Sequence, residues 1–125
     1  MSDSKEEYSS VKLVEAVVKG IQEVKGKDIV HLNLKNITHA VTDHFVICNG
    51  GSDRQVQAIS DSVKKFTQEM MDEKPWHIEG KENADWVLMD YVDVVVHIFN
   101  QEKREFYGLE NLWGDAVKAT FENVA

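Results

Sequence analysis

Two apolar segments at residues 86–89 and 94–99 restrict the fold of this chain more than any other feature. The first reads Trp-Val-Leu-Met and the second reads Val-Val-Val-His-Ile-Phe. β-Branched and aromatic residues dominate both, which is typical of β-strands. Asp90 and Asp93 lie in the short break between them, and acidic residues are common in turns. The segments therefore predict two long strands separated by an acidic turn.

Apolar residues at helical spacing predict three helices elsewhere. The first runs roughly from Val11 to Lys25. The second begins after Ser52, which has capping-box spacing with Gln55. A last short helix is predicted within residues 106–113, where apolar residues recur after the second long strand.

Three further strands are predicted. Residues 30–34 alternate apolar and polar side chains, as a strand with one buried face does. Residues 45–48 are apolar throughout, which indicates a strand buried on both faces. Residues 76–79 suit a short edge strand. The order α-β-β-α-β-β-β-α predicts an α/β fold, in which a mixed β-sheet of about five strands is flanked by helices.

We expect a single domain, because 125 residues is the usual size of one domain and 42% of them are hydrophobic. The domain is placed at residues 9–119. Residues 1–8 are expected to form a disordered N-terminal tail, and residues 120–125 a C-terminal tail.

The net charge of −8 restricts the class of partner. A negative surface repels phosphates, so no direct, specific binding to nucleic acid is expected. The same charge favours encounter with a basic protein, although many acidic proteins have no such partner. No segment has the length of a membrane span, and the first residues lack the apolar core of a signal peptide. The expected compartment is the cytoplasm, with no membrane partner.

A glycine-rich loop, Gly50-Gly51-Ser52, precedes the second helix. Free amides and the helix dipole suit anions at such a position, and the loop resembles the Gly-Ser opening of nucleotidyltransferases. Those enzymes hold magnesium with two carboxylates at alternate strand positions, and no such pair follows Ser52. Helix capping and phosphate binding, with Arg54 as a cation, both stay open. No metal, cofactor or catalytic residue is expected.

Three other candidates for chemistry have structural interpretations. Cys48, the only cysteine, lies in an apolar strand, where it is expected to act as a small buried hydrophobe. His97 interrupts a valine-rich strand, which favours a hydrogen-bonded core histidine over a catalytic one. Asp90 and Asp93 are expected to shape their turn rather than to bind a metal.

Trp86 is the best candidate for a binding anchor. It opens a strand after a polar stretch, so part of its indole is expected at a margin of the sheet. Burial in the core is an equally good interpretation. Tryptophan beside aliphatic residues and carboxylates makes a strong anchor, because a large apolar surface is then ringed by polar groups. Arg104, Glu105 and Tyr107 are further candidates for the same margin, and an ordinary solvated helix face explains the two charges equally well.

Six blocks of sequence occur in a fixed order over nearly the whole chain. They are residues 43–47, 50–56, 79–80, 86–91, 93–97 and 104–115. Together they resemble the ribosomal silencing factor family, also called Iojap-like. The resemblance implies a nucleotidyltransferase-like fold without the catalytic metal site.

The resemblance also implies a function and partners. Family members bind the large ribosomal subunit through ribosomal protein L-fourteen, block joining of the small subunit and lower translation when nutrients are scarce. Relatives further suggest a homodimer when the protein is free. An assembly role for the large subunit stays open, as does an enzyme or sensor that binds a nucleotide phosphate at residues 50–54.

Carried over by position, the resemblance implies a partner-binding site. Its expected apolar centre is Trp86, Val87 and Leu88, which match the tryptophan-led strand of the family. Exposure and charge, rather than the resemblance, predict an acidic rim of Asp85, Asp90 and Glu105.

The chain departs from the family pattern at three positions. Val92 stands where glycine is common, and a valine avoids positive φ angles, so the turn at Asp90–Asp93 is expected to take another shape. Gly108 stands where a polar residue is common and is expected to loosen the last helix. Gly51 replaces a common asparagine.

Overall fold

A mixed sheet of six strands forms the centre of the computed structural model, which describes residues 2–124 and the side chains from residue 7 onward. The strands are β1 (Lys27–Asn33), β2 (His44–Gly50), β3 (His77–Glu79), β4 (Trp86–Asp90), β5 (Val94–Asn100) and β6 (Val117–Thr120). They lie in the order β3-β4-β5-β2-β1-β6. β2 and β5 are parallel, and every other neighbouring pair is antiparallel. The predicted α/β fold with a mixed, helix-flanked sheet is confirmed.

The helices are α1 (Ser2–Glu23), α2 (Asp53–Met71) and α3 (Gln101–Tyr107), and a 3₁₀ turn follows at Leu109–Trp113. α1 begins nine residues before the predicted start at Val11 and covers most of the expected tail at 1–8. The apolar stripe starts only where α1 packs on the sheet, so apolar periodicity marks the packed part of a helix and not its first turns. Met1 and Ala125 lie outside the described residues. No helix among those residues is long and apolar enough to cross a membrane.

The two faces of the sheet are covered differently, because side chains alternate along each strand. α1 and α2 pack on one face, where residues such as Val46, Val87 and Ile98 are fully buried. The other face has a smaller core around Phe45 and Phe99, which the 3₁₀ turn covers in part. β2 is buried along its whole length, as its apolar sequence predicts.

The sheet has one strand more than the sequence predicts. β6 pairs with β1 at the edge of the sheet, and all of its residues are exposed. Its four residues alternate apolar and polar side chains over too short a length to predict a strand. The chain stays attached to β1 beyond it: Phe121 N donates to Ile29 O at 3.0 Å, and Asp28 N donates to Asn123 Oδ1 at 2.8 Å. Part of the expected C-terminal tail is therefore held by hydrogen bonds.

Gly108 has a different role from the expected one. It adopts the left-handed conformation, with φ 58°, and its amide donates to Arg104 O, so it ends α3. The predicted helix over residues 106–113 is accordingly divided into the end of α3 and the 3₁₀ turn. Glycine at this position costs little, because left-handed residues that terminate helices are most often glycine.

Val92 adopts the positive φ angle, 77°, that the sequence argument excluded. Three hydrogen bonds fix the turn around it: Val92 N donates to Asp90 Oδ1 at 2.8 Å, Asp93 N donates to Tyr91 O at 3.1 Å, and Thr42 Oγ1 donates to Val92 O at 2.8 Å. The expectation was wrong because these bonds outweigh the local preference of valine. Asp90 shapes the turn, as predicted.

Replacing Val92 with glycine is expected to raise the free energy of unfolding by about 1 kcal/mol. Valine at positive φ carries about 1–3 kcal/mol of strain, and glycine relieves it at an entropic cost of about 0.5–1 kcal/mol. Urea unfolding measures the difference. Val41→Gly is the control, because Val41 is 90% exposed and has no positive φ, so glycine should destabilise there. Equal effects at both positions would contradict strain at Val92.

Candidate partner-binding face

β4 presents its alternate side chains to opposite faces of the sheet. Val87 and Met89 are fully buried beneath α1 and α2. Trp86 and Leu88 pack at the edge of the smaller core and are partly exposed. The expected apolar centre is thus divided: Trp86 and Leu88 share the face opposite α1 and α2, whereas Val87 has no side-chain surface to offer a partner.

Aromatic rings surround Trp86. Its ring centroid lies 4.8 Å from that of Tyr107 and 5.0 Å from that of Phe99. Phe106, which is 79% exposed, stands next to Tyr107 at the end of α3. We call Trp86, Leu88, Phe106 and Tyr107 the open face. Apolar side chains grouped in this way at a surface are typical of protein-binding sites.

The expected acidic rim is not gathered at one place. Asp85 immediately precedes β4 and is partly buried, and its backbone carbonyl accepts a hydrogen bond from Asn100 N. Asp90 shares the face of Leu88, but one of its carboxylate oxygens accepts from Val92 N. Glu105 stands two residues from Tyr107 in α3, so the two side chains project to nearly opposite sides of the helix. Glu105 is therefore separated from the open face.

Two groups that the sequence analysis missed border the open face. In the β3–β4 register, Glu79 lies opposite Leu88 and His77 lies opposite Asp90. His77 Nε2 and Glu79 Oε1 are 2.6 Å apart, and both side chains are more than half exposed. Directly opposed residues are close neighbours on one face. The sequence gives no signal for them, because it does not reveal the register between strands.

Arg104 faces away from Trp86 and joins α3 to the other half of the sheet. Its Nε and Nη2 donate to the two carboxylate oxygens of Glu110, at 3.0 and 3.1 Å. Its Nη1 donates to Asp28 O at 2.6 Å and to Asn49 Oδ1 at 2.7 Å. An adjoining cleft of about 420 Å³ also includes Glu105. Because these internal bonds occupy the guanidinium, we interpret Arg104 as a structural anchor.

The glycine-rich loop is engaged in helix capping. Ser52 Oγ accepts from Gln55 N at 3.1 Å, and Gln55 Oε1 accepts from Gly51 N at 2.7 Å. Asp53 lies in the first turn of α2, where its carboxylate accepts from Asn100 Nδ2. An amide that a phosphate would need is thus already bonded, and a negative charge stands beside it. These contacts favour the capping interpretation.

The remaining candidates for chemistry are buried. Burial raises the pKa of Cys48 to about 12, which leaves a protonated thiol. His97 is 3% exposed, and its Nδ1 accepts a hydrogen bond from Trp86 Nε1 at 3.0 Å. It is the hydrogen-bonded core histidine that the sequence predicts. Among the described side chains, those of residues 7–124, no cluster of three or more His, Cys, Asp or Glu is arranged to hold a metal ion.

A mixed sheet backed by two helices, with an aromatic and partly acidic open face, defines a domain of the α/β class. A model of the family described as "Ribosomal silencing factor during starvation" matches residues 7–125, and the chain belongs to this family.

Relatives and solved structures agree with this assignment. The ribosomal silencing factor of Halalkalibacterium halodurans is 43% identical over 116 residues, which are 93% of this chain and 97% of the relative. A crystal structure of a protein from Chromobacterium violaceum superposes with a TM-score of 0.76 at 33% identity, covering 82% of this chain and 83% of the other. A mouse relative named mitochondrial assembly of ribosomal large subunit protein 1 is 39% identical over 74 residues, which are 58% of this chain and 32% of the relative.

Acidification is expected to destabilise the fold below about pH 6.5. Burial lowers the pKa of His31 and of His97 from 6.5 to about 4. Between these pH values the unfolded chain binds protons that the folded chain does not. The free energy of unfolding is therefore unaffected by these two histidines above pH 6.5 and decreases as the pH falls toward 4. Urea unfolding at pH 7.5 and 5.5 measures the loss, and replacing both histidines with uncharged residues should reduce it. Equal stability at both pH values would contradict this expectation.

Proposed function

We propose that this chain represses translation by binding the large ribosomal subunit and thereby preventing the small subunit from joining it. The family description, which names ribosomal silencing and starvation, supports nutrient limitation as the condition. The observation that carries the proposal is the open face, where Trp86 and Leu88 remain partly exposed. A soluble acidic factor of this kind would act in the cytoplasm, where it meets separated ribosomal subunits.

The proposed partner on the large subunit is ribosomal protein L-fourteen. The net charge of −8 favours encounter with the basic surface that a ribosomal protein presents. The mechanism is steric: the bound domain occupies space that the small subunit needs. Such a mechanism requires no catalytic group, so we propose that the protein is not an enzyme.

Each expected site residue takes a place in this proposal. Trp86 and Leu88 form the apolar centre of the contact. Asp85 and Asp90 form its acidic rim beside them. Val87 supports β4 from the buried face, and Glu105, which lies outside the open face, adds only to the long-range attraction.

An assembly role for the large subunit is the second candidate. The name of the mouse relative, which refers to assembly of the ribosomal large subunit, favours it. The same open face would serve both roles, because both need stable attachment to the large subunit. A phosphate-binding enzyme or sensor receives less support, because Gly51 N is bonded to Gln55.

Sedimentation with purified ribosomal subunits tests the proposal. The protein is mixed with large subunits, small subunits are then added, and joined particles are measured on a sucrose gradient. Co-migration with the large subunit and a loss of joined particles are expected. Co-migration without that loss would favour the assembly role, and absence of binding would reject both.

Trp86→Ala is expected to weaken binding to the large subunit by at least about 30-fold, the equivalent of about 2 kcal/mol for a central anchor. Leu88→Ala should also weaken it. Equilibrium binding to large subunits measures both effects, and circular dichroism verifies folding. Met70→Ala is the matched control, because Met70 is 46% exposed on α2, on the opposite side of the sheet. Unchanged binding of a folded Trp86→Ala, Leu88→Ala double variant would reject the open face as the contact.

Charge reversal is expected to distinguish the rim from the distant acid. Asp85→Lys should slow association and reduce its salt dependence, because rim charges act mainly on the association rate. Glu105→Lys adds the same charge on the far side of α3 and should have a smaller effect. Stopped-flow binding at two salt concentrations compares them. A larger effect at Glu105 would move the contact toward the Arg104 cleft.

A further inference from the structure

We propose that His97 is a positioning residue that holds the indole ring of Trp86 in the orientation needed for partner binding. This inference rests on the proposed function, because it assigns a second residue to the same face. His97 does not touch the partner in this proposal, since its side chain is buried.

The hydrogen bond between the two rings determines the protonation of the histidine. The indole N–H is only a donor, so His97 Nδ1, at 3.0 Å, must be an unprotonated acceptor. The ring hydrogen then lies on Nε2. Burial, which lowers the pKa of His97 to about 4, keeps the ring neutral at physiological pH.

A second contact fixes the histidine ring from its other side. Phe45, on the neighbouring strand β2, meets it in an edge-to-face arrangement with centroids 4.6 Å apart. His97 therefore cannot turn freely, and its Nδ1 stays directed at β4. Trp86 is held in the same way, between His97 and the ring of Tyr107.

Packing alone does not explain a histidine at this position. Among the described residues, Nε2 of His97 has no hydrogen-bond partner, although it is buried. An unpaired buried donor lowers stability, and an aliphatic residue would avoid that cost. Val95 and Phe99, which share this face of β5, are apolar. Among the described residues, the bond to Trp86 is the hydrogen bond of the His97 side chain, and an aliphatic residue could not make it.

The bond also limits what the partner can contact. Because the indole N–H of Trp86 is already used, the partner meets the apolar surface of the ring and not its donor. An indole held in one orientation loses less conformational freedom on binding. Removing the bond should therefore weaken binding moderately, whereas removing the ring should weaken it strongly.

Nuclear magnetic resonance of the indole N–H groups tests the bond without ribosomes. The chain has three tryptophans, Trp76, Trp86 and Trp113, and Trp86→Phe identifies the relevant signal. We expect His97→Leu to shift the Trp86 signal and accelerate its hydrogen exchange, with the other two unchanged. His97→Asn, whose Oδ1 replaces Nδ1 as acceptor, should restore slow exchange in part. An unchanged Trp86 signal in a folded His97→Leu variant would overturn the proposal.

Binding to the large subunit tests the positioning role. His97→Leu and Trp86→Phe each remove one partner of the bond, so each should weaken binding by about 2- to 10-fold. The double variant should bind no more weakly than either single variant. Additive losses in the double variant would overturn the positioning role.

Two further outcomes separate this proposal from the proposed function. If His97→Leu fails to fold, Trp86→Phe carries the test, because it removes the donor and leaves His97 in place. Weakened binding of Trp86→Ala with wild-type binding of Trp86→Phe would reject the positioning role alone. Wild-type binding of Trp86→Ala would reject the open face itself, and the role of His97 with it.

Discussion

β2 pairs with β5 in parallel, from His44 opposite Val94 to Gly50 opposite Asn100, and the arrangement of the other elements follows from this pairing. Parallel strands cannot be joined by a tight turn, so the chain must cross over one face of the sheet. α2 makes this crossing and packs with α1 on that face. β4 then pairs antiparallel with β5, and β3 pairs antiparallel with β4 at the edge of the sheet. This order places β4 near the edge and leaves Trp86 partly exposed.

The orientation of Trp86 on the open face depends on a polar side chain within the core. His97 lies among apolar residues of β5 and accepts the indole hydrogen of Trp86. This hydrogen bond holds the partly exposed indole of Trp86 on its buried side, and Tyr107 packs beside the ring. Within the part of the chain that the structure describes, the Nε2 atom of His97 has no hydrogen-bond partner, and this missing bond is the energetic cost of the arrangement. Strained or unsatisfied groups of this kind often mark surfaces that serve a purpose other than stability.

Arg104 joins α3 to β1 and β2 on the same side of the sheet. It connects α3 to the carbonyl of Asp28 at the start of β1 and to the side chain of Asn49 in β2. Its ion pair with Glu110 also holds the 3₁₀ turn against the sheet. Tyr107, one turn further along α3, is positioned by the same anchor. A residue far from the proposed contact thus supports its geometry.

The sequence alone determined the class of fold, because apolar periodicity distinguishes helices from strands and fully apolar segments mark buried strands such as β2. It also predicted the capping-box spacing of Ser52 and the burial of Cys48 and His97, since these follow from local chemistry, but it left phosphate binding at the loop open. It did not determine β6, the left-handed geometry at Val92 or the opposition of Glu79 to Leu88. Edge pairing, turn strain and strand register depend on hydrogen bonds between distant segments. The same reason applies to the proposed site: the sequence proposed Trp86, Val87, Leu88 and Glu105 together, and only the tertiary structure separated Val87 and Glu105 from the other two. Strand alternation and the rotation of α3 decide which side chains share a face.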